Sequence, residues 1–135
     1  MKHFYCIALV SILLAGCSQT DEGVTGGVYE IQGAFSTVSE PDFFYASMEG
    51  MEKLDAIGMK LLAIGELLKK IDKKTNKSLL VKYVAIDWTG FIGLRDVIAH
   101  DYYNLNPVKI FEICTNEVGP LHSAVNRIIA DLKAK

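Results

Sequence analysis

The sequence has few cysteines and no strong excess of either charge. Its 135 residues contain three cysteines, Cys6, Cys17 and Cys114, too few for the disulfide framework of a small secreted domain. The formal net charge of -2 gives the chain as a whole no electrostatic reason to bind nucleic acid. Any such contact must therefore depend on local basic groups. Half of the residues are hydrophobic, which indicates one globular domain rather than a disordered chain.

Several enzyme signatures are also missing. The sequence has no cysteine–histidine cluster with metal-ligand spacing, no phosphate-binding loop and no serine-nucleophile motif. His3 lies near the N-terminus and His122 has no metal-ligand partner at a useful spacing, so we assign neither residue a role. We therefore expect no metal and no cofactor.

The apolar run near the N-terminus, residues 6–15, is too short to span a bilayer as a stable helix. It follows Lys2 and ends in Leu14-Ala15-Gly16-Cys17, which resembles the lipobox of bacterial lipoproteins. Residues 1–22 are therefore either a lipoprotein-type signal, with Cys17 as the lipidated residue, or a mis-assigned leader. The first interpretation predicts a lipoprotein anchored to the membrane through Cys17. The second, which we prefer, predicts a cytoplasmic protein.

Residues 23–135 show helical periodicity and no strand alternation or internal repeat. We predict an all-α fold, an up-and-down helical bundle of four to five helices. The clearest helix runs from about Ser47 to Asp72, where Gly58 and Gly65 would allow a partner helix to approach closely. Its apolar stripe recurs at steps of three and four and comprises Met51, Leu54, Ile57, Leu61, Ile64, Leu68 and Ile71.

The flanking helices have recognisable start and stop signals. Val24 to Val38 is amphipathic but glycine-rich, which weakens it. Asp87 is expected to cap a helix from Trp88 to Tyr103, in which Gly90 and Gly93 suggest tight packing. Asn106 and Pro107 start another helix, and Gly119-Pro120 should interrupt or kink it.

The residues best suited to catalysis lie at the end of the predicted Trp88–Tyr103 helix. Arg95 and Tyr102, seven residues apart, would lie nearly on one line of a helix. Asp96 and His100, four apart, would form a second line beside it. Histidine gains and loses a proton near neutral pH, and arginine offers a charged fork that matches phosphate oxygens. Asp96 could orient the imidazole of His100 and favour its charged form.

A purely structural interpretation of the same residues is also open. Arg95 could pair with Asp96 or Glu66, His100 could be a surface residue or a helix cap, and Tyr102 could cover the core.

The spacing Arg-x-x-x-x-His-x-Tyr, from Arg95 to Tyr102, resembles the signature of HepT-like toxins, ribonucleases of the HEPN superfamily. The resemblance extends over roughly residues 28–132 and includes the segments Ile64-Gly65-Glu66, Ile86-Asp87-Trp88, Gly93-Leu94-Arg95-Asp96 and Asn104-Leu105-Asn106. It implies a HEPN-like bundle and a homodimer whose two motifs face one cleft. Arg95 and His100 would then be the catalytic pair of the toxin of a toxin–antitoxin system, and this toxin cuts RNA. Metal-free RNA cleavage needs a group that moves protons and a cation that steadies charge on the phosphate. His100 and Arg95 supply one of each. It also implies that a minimal nucleotidyltransferase antitoxin of the MntA type silences the toxin by transferring AMP to Tyr102.

A cluster of lysines follows the predicted long helix: Lys69, Lys70, Lys73, Lys74 and Lys77. These lysines either complement the helix C-terminus and remain solvated, or form a patch that steers phosphates toward Arg95 and His100.

Two alternatives to the ribonuclease toxin also remain. One is a non-catalytic HEPN scaffold that binds a nucleotidyltransferase. The other is an envelope lipoprotein with a helical domain.

Overall fold

The longest helix, Met48–Lys74, lies at the centre of the bundle. In the computed structural model, which describes residues 24–101 and 105–134, the helices follow one another as α1 (Val24–Phe35), α2 (Phe43–Ala46), α3 (Met48–Lys74), α4 (Trp88–His100), α5 (Pro107–Asn116) and α6 (Val118–Lys133), with a 3-10 turn at Leu80–Lys82. Helix α3 packs against α1, α2, α4 and α5. The described residues form no strand. This confirms the all-α bundle, with one-turn α2 added to five longer helices.

Helix α3 forms because its apolar residues repeat at helical spacing. The side chain of Ser47 caps the helix by accepting a hydrogen bond from the Gly50 N–H at 3.1 Å. Most of the predicted stripe is buried, namely Ile57, Leu61, Ile64, Leu68 and Ile71. Burying each such side chain stabilises the fold by about 1.5–3 kcal/mol relative to exposure. The stripe was extended too far at its start, since Met51 is exposed.

Helix α1 lies antiparallel to α3. Three contacts mark the pairing: Gly27 faces Ile64, Glu30 forms an ion pair with Lys60 at 2.8 Å, and the Lys53 ammonium donates to the Ala34 carbonyl at 3.2 Å. A Cβ on Gly27 would stand 3.1 Å from the Ile64 side chain. This glycine, although it weakens the isolated helix, therefore allows the close approach of α1.

Helix α4 begins where predicted and ends earlier. The Asp87 side chain accepts a hydrogen bond from the Gly90 N–H at 3.0 Å, which confirms it as the N-cap. The helix was predicted to reach Tyr103, and this was wrong, because Asp101 leaves the helical region with φ -138 and ψ 50. Leu105, the next described residue, packs against Gly58 of α3.

The break between α5 and α6 is confirmed and falls slightly earlier than Gly119-Pro120. Asn106 caps α5 by accepting hydrogen bonds from the N–H groups of Val108 and Lys109, and Pro107 opens the helix. Pro120 is the third residue of α6, where its missing N–H costs nothing, whereas its ring would clash inside a continuous helix. Within the described residues, no helix is both long and apolar enough to cross a membrane.

Candidate active site

Helix α4 carries Arg95, Asp96 and His100 at its C-terminal half. The Arg95 guanidinium is partly covered: its Nε forms an ion pair with the Glu66 carboxylate of α3, and its Nη1 donates to Asp96 Oδ1 at 2.7 Å. The Arg95 side chain retains 37% of its exposure and that of Asp96 62%. Arg95 is thus held in one orientation by two carboxylates and remains accessible to solvent.

The approach of α3 to α4 at this point depends on Gly65. A Cβ built on Gly65 would lie 2.8 Å from the Arg95 Cβ and 2.9 Å from the Phe91 carbonyl oxygen. Contacts this close do not occur in folded proteins, so any larger residue would push α4 away. Glu66, the next residue of α3, can reach Arg95 because the two backbones touch here. The predicted close approach at Gly65 is confirmed.

The prediction for Gly93 was wrong. Among the described residues, no atom beyond the surrounding turns of α4 would lie within 4 Å of a Cβ on Gly93, so none of them packs tightly against this glycine. Helical geometry places Gly93 and His100, seven residues apart, on one line of α4. Val97, which is 65% exposed, lies next to that line. This side of α4 is therefore open.

Electrostatic interactions within the site favour the charged forms of both Arg95 and Asp96. The hydrogen bond from Arg95 lowers the pKa of Asp96 below its usual value, and the charges of Arg95, Lys69 and His100 act in the same direction. The hydrogen bond to Asp96 and the charge of Glu66 raise the pKa of Arg95. Because the pKa of Asp96 is lowered by folding, the stability it contributes is present above its unfolded-state pKa. That stability is lost as the pH falls through the folded-state value.

His100 is the last residue of α4 and is exposed to solvent. Its charge is one of the smaller influences that lower the pKa of Asp96. The hydrogen bond of Asp96 goes to Arg95, and its predicted role in orienting His100 stays a prediction. Arg95, Asp96 and His100 thus all lie within the last six residues of α4.

Two further predicted residues, Tyr102 and Cys17, lie outside the described residues. The alignment of Tyr102 with Arg95 was argued from a helix that continues past His100. Since α4 ends at His100, that geometric argument no longer applies. The relation between the two residues rests on the motif alone.

Comparison with known protein families finds a match that includes the end of α4. The family described as "Ribonuclease HepT-like" matches residues 34–128, well over half of the chain and including Arg95 and His100. The chain belongs to the HepT-like ribonuclease family. The resemblance seen in the sequence is therefore confirmed at the level of the family.

Three relatives from Methanocaldococcus jannaschii, each named "Putative RNase", are similar to the chain. One is 31% identical over 75 residues, which is 56% of this chain and 61% of the relative. The second is 29% identical over 75 residues, 56% and 59% of the two chains, and the third 29% over 80 residues, 59% and 63%. The chain thus spans about three fifths of the length of these relatives. No solved structure matches it significantly.

Other candidate groups have structural roles. The His122 ring packs edge-on against Tyr29, 4.8 Å between centroids, where α6 meets α1. Burial raises the pKa of the Cys114 thiol to about 12, so this cysteine stays protonated and behaves as a small hydrophobic residue. Among residues 24–101 and 105–134, no three His, Cys, Asp or Glu side chains are grouped to hold a metal ion.

Sequence patterns missed one polar contact that joins distant parts of the chain. The Tyr83 hydroxyl donates to Asp131 at 2.6 Å, across 48 residues, at the edge of a cavity of about 820 Å³ that Arg127 also lines. The Tyr83 carbonyl accepts from the Trp88 indole N–H at 2.8 Å, so this cavity lies near the start of α4, at the opposite end from His100. Desolvation and the Asp131 carboxylate raise the pKa of Tyr83 to about 12.

Replacing Tyr83 with phenylalanine should lower the free energy of unfolding by about 0.5–1 kcal/mol at neutral pH, the contribution of one hydrogen bond. Folding raises the pKa of Tyr83, so this stability is present below about pH 10 and lost as the pH rises toward 12. Urea unfolding of both proteins at about pH 8 and about pH 11 measures the effect. The difference in unfolding free energy between the wild type and Tyr83→Phe should be smaller at the higher pH. An equal difference at both pH values would contradict the prediction.

Proposed function

We propose that the protein is a metal-independent endoribonuclease, the toxin of a toxin–antitoxin pair, that cuts RNA through Arg95 and His100. The observation that carries the proposal is the arrangement at the end of α4. There an exposed imidazole and a guanidinium held by two carboxylates lie within six residues of each other on one helix, in a member of the HepT-like family. The proposal places the protein in the cytoplasm, where RNA is found.

In the reaction, the ribose 2′-oxygen attacks the adjacent phosphorus and the bond to the 5′-oxygen breaks, leaving a 2′,3′-cyclic phosphate. A proton leaves the 2′-hydroxyl and another reaches the 5′-oxygen, and His100 is the group that moves protons. Arg95 steadies the charge that builds on the phosphate oxygens. A guanidinium has five N–H donors, more than the contacts to Glu66 and Asp96 use, so Arg95 can bind phosphate while it stays paired.

A homodimer would complete this site by placing two helix ends in one cleft. Apolar side chains stand exposed beside the polar groups, which suits a partner surface. Val97 is 65% exposed next to His100 on α4, and Met59 is 49% exposed on the same line of α3 as Glu66, two turns away. The second copy would bring a second imidazole to the phosphate. The oligomeric state measured by light scattering tests this.

The antitoxin partner in this proposal is an MntA-like minimal nucleotidyltransferase that transfers AMP to Tyr102. The proposal requires Tyr102 to lie near Arg95, where an anionic nucleotide attached to it would compete for the phosphate-binding donors of Arg95. We expect co-expression with such an enzyme to add the mass of AMP to the protein, and Tyr102→Phe to prevent that. Modification elsewhere would contradict the assignment.

RNA cleavage by the purified protein tests the central claim. A mixed RNA substrate is incubated with the wild-type protein, Arg95→Ala and His100→Ala, each with and without a chelator. Cleavage by the wild type alone, with 2′,3′-cyclic phosphate ends, is the expected result. Equal cleavage by all three would dismiss the assignment, and loss of activity on chelation would dismiss metal independence.

A second candidate function is a non-catalytic HEPN scaffold that binds a nucleotidyltransferase. It is favoured by one observation, namely that both carboxylates facing Arg95 already neutralise its charge. An unmodified protein that forms the complex and cuts no RNA would support the scaffold. Lipid labelling of Cys17 tests the remaining alternative, the envelope lipoprotein.

A further inference from the structure

We propose that the lysines at the end of α3 bind the backbone of single-stranded RNA on one side of the phosphate held at Arg95. This lysine ridge comprises Lys69, Lys70, Lys73 and Lys77, all exposed. The inference rests on the proposed ribonuclease function and adds a substrate-binding surface to it.

The ridge continues the line of the active site along α3. Glu66, which pairs with Arg95, is followed on the same helix face by Lys69 and Lys70 and then by Lys73, at steps of three, four and seven residues. At 1.5 Å of rise per residue, Lys73 lies roughly 10 Å from Glu66 along the helix axis. An RNA strand whose phosphate sits at Arg95 would meet these ammonium groups with its next phosphates.

Electrostatic contact joins the ridge to the site. Lys69 is one of the charges that act on Asp96, the carboxylate between Arg95 and His100. The chain carries a net charge of -2, yet residues 69–77 contain five lysines and one acidic residue, Asp72. Five of the chain's 14 lysines and arginines therefore fall within these nine residues, which follow closely after Glu66, the partner of Arg95.

Interaction with the helix C-terminus accounts for only part of this cluster. That effect falls off within the last turn, which holds Lys73 and Lys74. Lys69 and Lys70 lie at least four residues before the end of α3, so the helix dipole gives no reason for them.

The turn after α3 holds the final lysine of the ridge in a costly conformation. Asn76 and Lys77 have φ values of 51° and 60°, in the left-handed region that asparagine tolerates and lysine does not favour. The Lys77 N–H donates to the Asp72 carbonyl at 2.8 Å, which fixes the turn. Strained residues of this kind are often retained because they serve a function, and we assign phosphate binding as the function of Lys77.

RNA binding at several salt concentrations tests the ridge. The parent protein is His100→Ala, so that the RNA stays intact, and the probe is a fluorescent single-stranded oligonucleotide followed by anisotropy. In the ridge variant Lys69, Lys70 and Lys73 are replaced by glutamine. In the matched control Lys82, Lys109 and Lys133, which lie on other parts of the surface, are replaced in the same way. Net charge and the number of changes are then equal.

The ridge variant should bind RNA at least about tenfold more weakly at low salt, with the slope of log K against log salt reduced by about 2. The control should bind like the parent. Lys77→Gly supplies a variant that cannot fail by unfolding, since glycine relieves the left-handed strain. It should melt at a higher temperature and still bind RNA more weakly.

Equal affinities and slopes in the ridge variant and the control would overturn the inference. If the wild-type protein still cuts RNA in that case, the proposed ribonuclease survives and RNA approaches over another surface. If the parent binds no RNA, the ridge is excluded. Absence of cleavage by the wild type would then reject the ribonuclease as well.

Discussion

Replacing His100 with alanine is expected to slow RNA cleavage by about a hundredfold to ten-thousandfold, the usual contribution of a positioned proton-transfer group. His100 is exposed at the end of α4, so its removal leaves no cavity and no unpaired buried group. The melting temperature should therefore stay close to that of the wild type. Single-turnover cleavage of a defined RNA, together with thermal unfolding of the same preparations, provides both measurements.

His122→Ala is the matched control for loss of an imidazole. Its ring packs between α6 and α1, away from the catalytic groups, so this change should lower stability and leave the single-turnover rate of the folded protein unchanged. The opposite pattern, with His122 required for cleavage and His100 dispensable, would contradict the assignment of His100 as the proton-transfer residue. Arg95→Ala should resemble His100→Ala, with a loss of about a hundredfold to a thousandfold.

The ion pairs of Arg95 do not by themselves assign it a structural role. Both carboxylates and the guanidinium remain partly exposed, and exposed ion pairs contribute little to stability because solvent screens them. Their stronger effect is to fix the direction of the guanidinium before substrate arrives. Glu66 therefore acts as a positioning residue, and Glu66→Gln should reduce cleavage far less than Arg95→Ala.

The parts of the fold that follow from local patterns were predictable. The stripe from Ile57 to Ile71, the caps at Asp87 and Asn106 and the break near Pro120 depend on residues within a few positions of one another. Helical periodicity, cap chemistry and the missing proline N–H all act over that range. These short-range rules predicted four to five helices, including the helix that carries the site.

What the sequence could not show depends on tertiary contacts. The sequence left open whether Arg95 pairs with Asp96 or Glu66, and the contact between α3 and α4 shows that it pairs with both. The end of α4 at His100 has no signal in the local pattern, and neither has the packing of Leu105 against Gly58. The Tyr83–Asp131 hydrogen bond joins residues 48 positions apart, and no periodicity indicates it. Gly93 illustrates the same limit, because a glycine at a tight contact and one in open space look identical in a sequence.

Gly65 is the residue at which the fold and the site are most directly coupled, and Gly65→Ala should damage both. The added methyl group would lie 2.8 Å from the Arg95 Cβ and 2.9 Å from the Phe91 carbonyl. One of these atoms belongs to the backbone of α4, so the clash is relieved only if the helix shifts. Overpacking of this kind lowers the free energy of unfolding by about 1–3 kcal/mol. The same shift moves Arg95 relative to Glu66, so cleavage should fall even in the fraction that remains folded.

Gly93→Ala is the control that isolates this effect, because it places the same methyl group in the middle of α4. In the part of the chain that the structure describes, no atom beyond the neighbouring turns of α4 lies within 4 Å of this methyl group, and alanine is the better helix former, so stability should rise by up to about 1 kcal/mol. Urea unfolding and single-turnover cleavage of the two variants decide the matter. If Gly65→Ala proves as stable and as active as Gly93→Ala, α3 does not hold Arg95 in place. The guanidinium would then have to be oriented by Asp96 alone.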